Sequence, residues 1–230
     1  ENRDAYLPQL YLRNLLDANG VIEPAQVEVL KRLCGNLNLS PTLANVISDA
    51  LQKATLATLD APTALTALGG EEGKAKAPML PQTVEQLVWL SAALDAGTVQ
   101  RLRPFVTLLP MSAPVPTAVN LNTAPREVIA AMIPNAGLAD ADRLVRARQN
   151  KPFDSVAAAQ AVLGPSFTLP VQGLDVKSEY FEVRGRLRLE DQVMEQRHLV
   201  RRDLSNPQNP QVTVLNQERL SGVDSGKGGW

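Results

Sequence analysis

Along the first two-thirds of the chain, apolar residues recur every three or four positions, the spacing that gathers side chains on one face of a helix. In the last quarter they alternate with charged residues, the spacing of a strand. At the start, Leu7, Tyr11 and Leu15 beside Leu12 and Leu16 predict an amphipathic helix from Tyr6 to Leu16, closed by Asn19 and Gly20. Tyr6, Leu10 and Tyr11 are candidates there for a partner contact, because aromatics are favoured at interfaces, with core packing as the alternative. Glu23 and Pro24 open a second helix carrying Val27, Leu30 and Leu33, which Gly35 closes. Ser40 and Pro41 start a third, with Leu43, Val46, Ile47, Ala50 and Leu51. Between Asp60 and Pro81 the composition turns to Ala, Gly, Pro and charge, which predicts a mobile loop over 60–80. Thr83 caps a further stripe of Val84, Leu87, Val88, Leu90 and Leu94, a short helix precedes Pro104, and Pro110, Pro114 and Pro116 mark an extended linker.

From Val119 to Gly164 the pattern predicts a helical hairpin and a third helix. Thr123 is the expected cap, Pro125 and Glu127 suit a first turn, and Val128, Ile129, Met132 and Ile133 form the inner face. Pro134 to Gly137 break this helix. Asp140 begins the next, with Ala141, Leu144 and Val145 inward and Arg143, Arg146 and Arg148 outward. Phe153 follows, then Asp154 or Ser155 as cap, then Val156, Ala159, Val162 and Leu163 until Gly164 and Pro165. After Gly173, Val183, Leu187 and Leu189 alternate with Arg184, Arg186, Arg188 and Glu190, and Val193–Val200 and Val212–Leu215 read as two more strands. Helices first and strands last predict an α+β fold: a helical domain over 1–170, strands over 171–220 and a disordered Gly/Ser-rich tail over 221–230.

Composition removes several functions. With 23 Lys+Arg against 24 Asp+Glu the formal net charge is −1, so no whole-molecule field draws nucleic acid or anionic lipid. Cys34 is the single cysteine, which excludes an internal disulfide and a cysteine metal cluster. His198 is the single histidine and has no sequence-visible nucleophile or metal-ligand companion. The carboxylate pairs Glu190/Asp191 and Asp140/Asp142 sit where exposed faces and caps explain them. No catalytic residue and no metal ligand is nominated. No apolar run approaches the ~20 residues that span a bilayer.

The string Asn120-Leu-Asn122-Thr123-Ala-Pro125, the hairpin and Phe153-Asp154-Ser-Val together resemble the helix-hairpin-helix repeat. Leu102-Arg-Pro-Phe-Val-Thr-Leu-Leu-Pro110 upstream and Leu174-Asp-Val-Lys-Ser-Glu-Tyr180-Phe181 downstream narrow the resemblance. Over residues 21 to 200 or so, the ordered set is similar to the K class of type II secretion minor pseudopilins. That resemblance implies a large helix-hairpin-helix (SAM-like) insert domain joined to a small antiparallel pilin-like sheet. It implies no enzyme, but a tip subunit of the pseudopilus that supports its assembly for protein export. Its partners would be I and J class minor pseudopilins and other filament subunits, its place the periplasm, and its anchor an inner-membrane helix absent from this chain. Structural motif residues carried over are Asn120, Asn122, Thr123, Pro125, Phe153, Asp154, Tyr180 and Phe181. The family commonly carries Trp-x-Asp-Ala-Asp before an acidic stretch, where some members bind calcium. Here Ile47-Ser-Asp-Ala-Leu51 stands instead, a lone Asp49 supplies too few oxygens, and no cofactor is expected. The alternative reading is a nucleic-acid module of the DNA-uptake kind. It lacks the Gly-x-Gly of phosphate-binding hairpins, so Arg143, Arg146, Arg148 and Lys151 would have to hold phosphate by side chains alone.

Overall fold

The computed structural model describes residues 3–6, 9–110, 116–170, 172–189, 192–203 and 211–223. It divides into a sheet unit, Glu1–Leu7 with Lys177–Trp230, and a helical unit, Pro8–Val176.

The sheet unit is a four-stranded antiparallel sheet in the order β1-β6-β7-β8. Its strands are β1 (Arg3–Tyr6), β6 (Tyr180–Leu189), β7 (Gln192–Asp203) and β8 (Gln211–Val223). Strand β1 pairs with β6 in the register Arg3↔Arg184 to Tyr6↔Phe181. The helical unit is thus inserted in the sequence between two neighbouring strands of one sheet. This corrects the expected N-terminal helix and the expected start of the helical domain at residue 1. A proline at position 8 has no backbone N–H to give a helix interior, which disfavours a helix running from Tyr6 to Leu16. Beyond it, Leu10 through Leu16 are all buried, so the segment has no exposed stripe of the kind a surface helix keeps. It forms β2 (Leu10–Tyr11) and a 3₁₀ turn, Leu12–Leu15. Strand β8 runs on through Ser221 to Val223, so the tail expected from 221 begins three residues too early, and 224–230 lie outside the described residues.

In β6, Arg184, Arg186 and Arg188 are exposed on one face, as the alternation predicts, but Leu187 on the other face is exposed too. Arg184 faces Arg197 across the β6–β7 pair, a like-charge opposition that is relieved locally. Arg184 ion-pairs with Glu182, and Arg197 Nε donates to Glu195 at 3.0 Å.

In the helical unit, α1 (Pro24–Asn36) and α2 (Thr42–Thr58) form where the apolar spacing predicted. Val27, Leu30, Leu33 and Cys34 of α1, with Ala44, Ile47 and Leu51 of α2, supply the core. The region read as a mobile loop holds α3 (Pro62–Ala67) and α4 (Glu71–Lys76). Pro62 presets the first turn of α3. In α4, Glu71 and Glu72 meet the positive helix end, while Lys74 and Lys76 meet the negative one. Gly73 permits their close approach, since a Cβ there would stand 1.7 Å from the Leu68 carbonyl oxygen. Gln86 Oε1 accepts from the Thr83 amide at 3.3 Å at the start of a 3₁₀ turn, Val84–Trp89, followed by α5 (Ala96–Leu102). Strand β3 (Val106–Thr107) pairs in parallel with β2, and of the expected linker residues 111–115 lie outside the described set.

Cys34 is fully buried in α1, and burial pushes its thiol from 9.0 up to about 11. A raised folded-state value means stability that is complete below pH 9 and lost as pH rises toward 11, because the unfolded chain ionises first. Urea midpoints measured across that window should fall by an amount equivalent to roughly 2–3 kcal/mol. In Cys34→Ala that component of the fall should vanish.

Candidate functional site

The segment expected to carry identity is closed at both ends by one short pairing. Strand β4 (Val119–Asn120) lies parallel to β5 (Leu174–Asp175). Gly173, just before β5, has φ 87°, and a Cβ on it would come within 3.2 Å of Met132 Cε. Between the two strands sit α6 (Arg126–Met132), α7 (Leu138–Asn150) and α8 (Val156–Leu163).

The Asn-x-Asn-Thr motif is a hydrogen-bond staple. Asn120 is buried, and its Oδ1 accepts from the Asn122 amide at 2.8 Å. Asn122 Nδ2 donates to the carbonyls of Phe153 at 3.0 Å and Val176 at 3.2 Å, while its Oδ1 accepts from the Phe153 amide at 2.8 Å. One side chain thereby joins the turn before α6, the α7–α8 connection and the stretch after β5. Thr123 does not cap α6. Its hydroxyl and amide both donate to the Asn120 carbonyl, at 3.4 and 3.2 Å, forming a turn that delays the helix until Arg126. Pro125 occupies the cap position, with ψ 157°, and Glu127 lies in the first turn. Phe153 is buried, but Asp154 is exposed in a 2.8 Å ion pair with Lys151, and Ser155 caps α8 by accepting from Ala158 N at 3.2 Å. Tyr180 and Phe181 are buried in the other unit, on β6, where the Arg202 guanidinium lies 4.6 Å from the Phe181 ring centroid. The motif residues therefore divide between two structural units.

The N-terminal interface candidates change meaning. Tyr6 is a β1 residue opposite Phe181, whereas Leu10 and Tyr11 are 2% and 1% exposed within the helical unit. Leu10 and Tyr11 contribute core packing and present no surface to a partner.

Of the hairpin's basic residues, Arg143, Arg146 and Lys151 are exposed as expected and Arg148 is half-buried. Arg143 donates to the Val162 carbonyl at 2.7 Å, and Arg148, expected outward, turns in to the Leu121 carbonyl at 2.6 Å. At the start of α7, where a phosphate would meet free amides, the Asp140 carboxylate already accepts from Gly137 N at 3.0 Å. An acidic group stands in the position an anion would need. Sequence reasoning did not see this, although an acid three residues after Gly137 is the available signal.

His198 is half-buried on β7 with Gln196 Oε1 at 3.4 Å. Among the described residues no three His, Cys, Asp or Glu side chains converge as metal ligands. Asp49 is exposed on α2 and belongs to no such group among the described residues.

An α+β chain whose small antiparallel sheet is interrupted in sequence by a large helical insert has a fold of the pseudopilin class. The chain is a member of the family described as type II secretion system (T2SS), protein K, whose models match residues 9–111 and 119–177, together more than half its length. Among curated proteins none matches in sequence. A chain of the crystal structure of the GspK-GspI-GspJ complex from the enterotoxigenic Escherichia coli Type 2 Secretion System is similar at 19% identity and a TM-score of 0.59. The match covers 95% of this chain and 78% of that one, and at such identity the likeness is one of fold.

Proposed function

We propose that the protein caps the tip of the type II secretion pseudopilus and supports its assembly for export. The observation that carries this reading is the topology, in which residues 8–176 are inserted between paired strands β1 and β6. A filament subunit must leave room for the next copy. A subunit carrying a folded domain larger than its own sheet blocks that position by volume alone. Such a mechanism needs interface complementarity and no reactive group, which fits a site made of staples and ion pairs. The partners in this reading are I and J class minor pseudopilins, supported by the fold's likeness to a chain from a GspK-GspI-GspJ complex. The place is the periplasm, with an anchor in the inner membrane; among the described residues no helix is long and apolar enough to cross a membrane. Nucleic acid is not a partner in this reading, since Asp140 fills the hairpin amide and Arg143 and Arg148 are turned to carbonyls.

Co-expression with the I and J subunits should give one ternary peak on gel filtration, and three separate species would sink the proposal. In cells, replacing residues 8–176 by a short turn between β1 and β6 should lengthen the filament or fail to end it, while leaving the sheet folded. Normal filament length in that variant would refute the blocking role.

A further inference from the structure

The chain holds a single Asn-Gly pair, Asn19-Gly20, and it lies in a tight turn of the helical unit between the 3₁₀ turn Leu12–Leu15 and α1. Leu16 and Ile22 bridge at the base of this turn, and Asp17 N donates to the Val21 carbonyl at 2.8 Å. Glycine is demanded at the tip. Gly20 has φ 78°, and a Cβ on it would stand 3.3 Å from Leu56 Cδ2. Its carbonyl accepts from Gln52 Nε2 at 3.0 Å, which ties the turn to α2.

An asparagine before glycine is open to attack from its own backbone, because the second residue has no side chain to hinder the approach of its nitrogen. The Gly20 nitrogen adds to Asn19 Cγ, the Cγ–Nδ2 bond breaks, and ammonia leaves with the proton that the nitrogen gives up. Water then opens the five-membered imide at either carbonyl, giving aspartate or isoaspartate. Asn19 is exposed, so water reaches it. In the folded turn, however, both nitrogens of this step are held. Gly20 N donates to the Asp17 carbonyl at 3.1 Å, and Asn19 Nδ2 donates to Asp17 Oδ2 at 3.4 Å. Asp17 Oδ1 accepts from Val21 N at 2.7 Å and Asn19 N at 2.8 Å, contacts that hold its carboxyl below the ordinary carboxylate range. A charged Asp17 has no proton to hand to departing ammonia.

We propose that Asn19 is a site of spontaneous conversion to aspartate and isoaspartate, and that the turn built on Asp17 restrains this conversion in the folded chain. The product works against the turn, since a carboxylate at position 19 replaces an N–H donor to Asp17 by a second negative charge beside it. The modification therefore marks chains in which this turn has stood open. The inference concerns the helical unit itself and stands whether or not the tip reading does.

The test follows Asn19 by peptide mapping and mass spectrometry of the full chain, incubated at mildly alkaline pH with and without concentrated urea. The amide-to-acid mass gain and isoaspartate should appear at Asn19 in urea. In the native chain they should form at least about tenfold more slowly, the ratio that one hydrogen bond to a charged acceptor corresponds to. Asp17→Ala, checked as folded by circular dichroism, should lose most of that protection under native conditions. Asp17→Asn, which keeps the shape and removes the charged acceptor for Asn19 Nδ2, should lose part of it and serves in place of an alanine variant that does not fold. Equal rates in urea and in the native chain, no conversion at Asn19 in urea, or full protection retained in the folded Asp17 variants would each overturn the proposal.

Discussion

Replacing Asn122 with Leu should lower the thermal midpoint by about 10 °C. Three hydrogen bonds end on this side chain, and each joins segments remote in sequence: Phe153 N and O, and Val176 O. Each is worth about 1 kcal/mol, and removing the amide also leaves a shielded N–H and two carbonyls without partners, so roughly 3 kcal/mol is at stake. For a chain of this size each kcal/mol moves the midpoint by about 2–4 °C. Asp154→Asn, at the residue next to Phe153, is the control. Its ion pair with Lys151 has both side chains more than three-quarters exposed, and such pairs contribute little, so the midpoint should barely move. Calorimetry on the three proteins decides it. If the Asn122 variant melted with the parent, the staple would be an ornament of the turn and the motif would need another explanation.

The second large effect has the opposite sign. Arg13 is 6% exposed in the turn after β2, and among the described residues its side chain makes one hydrogen bond, to Thr55 Oγ1 at 3.4 Å, while its Nε is buried without a partner. Among the described residues no carboxylate stands within ion-pair distance, and burial lowers the guanidinium's affinity for its proton. Buried charges are ordinarily paired, and exchanging one for an apolar side chain of similar length is often stabilising by 1–4 kcal/mol or so. Arg13→Met should therefore raise the midpoint by several degrees, and adding Thr55→Val, which removes the hydroxyl left behind, should not reverse the gain. A lower midpoint in both variants would show that the guanidinium is compensated in a way these contacts do not include.

Sequence reading succeeded where one local cause was enough. In α1, Pro24 sets the first turn and Val27, Leu30 and Leu33 share a buried face; in α8, Ser155 caps, Leu163 packs and Gly164 at φ 85° ends the helix. It failed between 60 and 80 because composition was weighed above position. Only Ala64 of α3 and no residue of α4 is buried, so hydrophobic spacing carried no signal, while Pro62 and the acid-first, base-last order of α4 did. Thr123 misled for a different reason. A threonine before Pro and Glu is a good cap by type, but its hydroxyl and amide were already committed to Asn120.

By itself the sequence determined the change of regime from 3.6-residue to two-residue spacing, the existence of most helices, the strands β6 and β7, and the ordered motif that identifies the family. Those follow from neighbours within a few positions, where backbone geometry and side-chain periodicity leave few choices. Tertiary structure alone decided that Arg3–Tyr6 is a strand, that the helical unit is an insertion, and that Asn122 closes its last third. Each of these depends on a partner that only folding brings close, Phe181 for Tyr6 and Val176 for Asn122. No local propensity encodes such a partner, because its free energy exists only once the intervening chain has paid its loop-closure entropy.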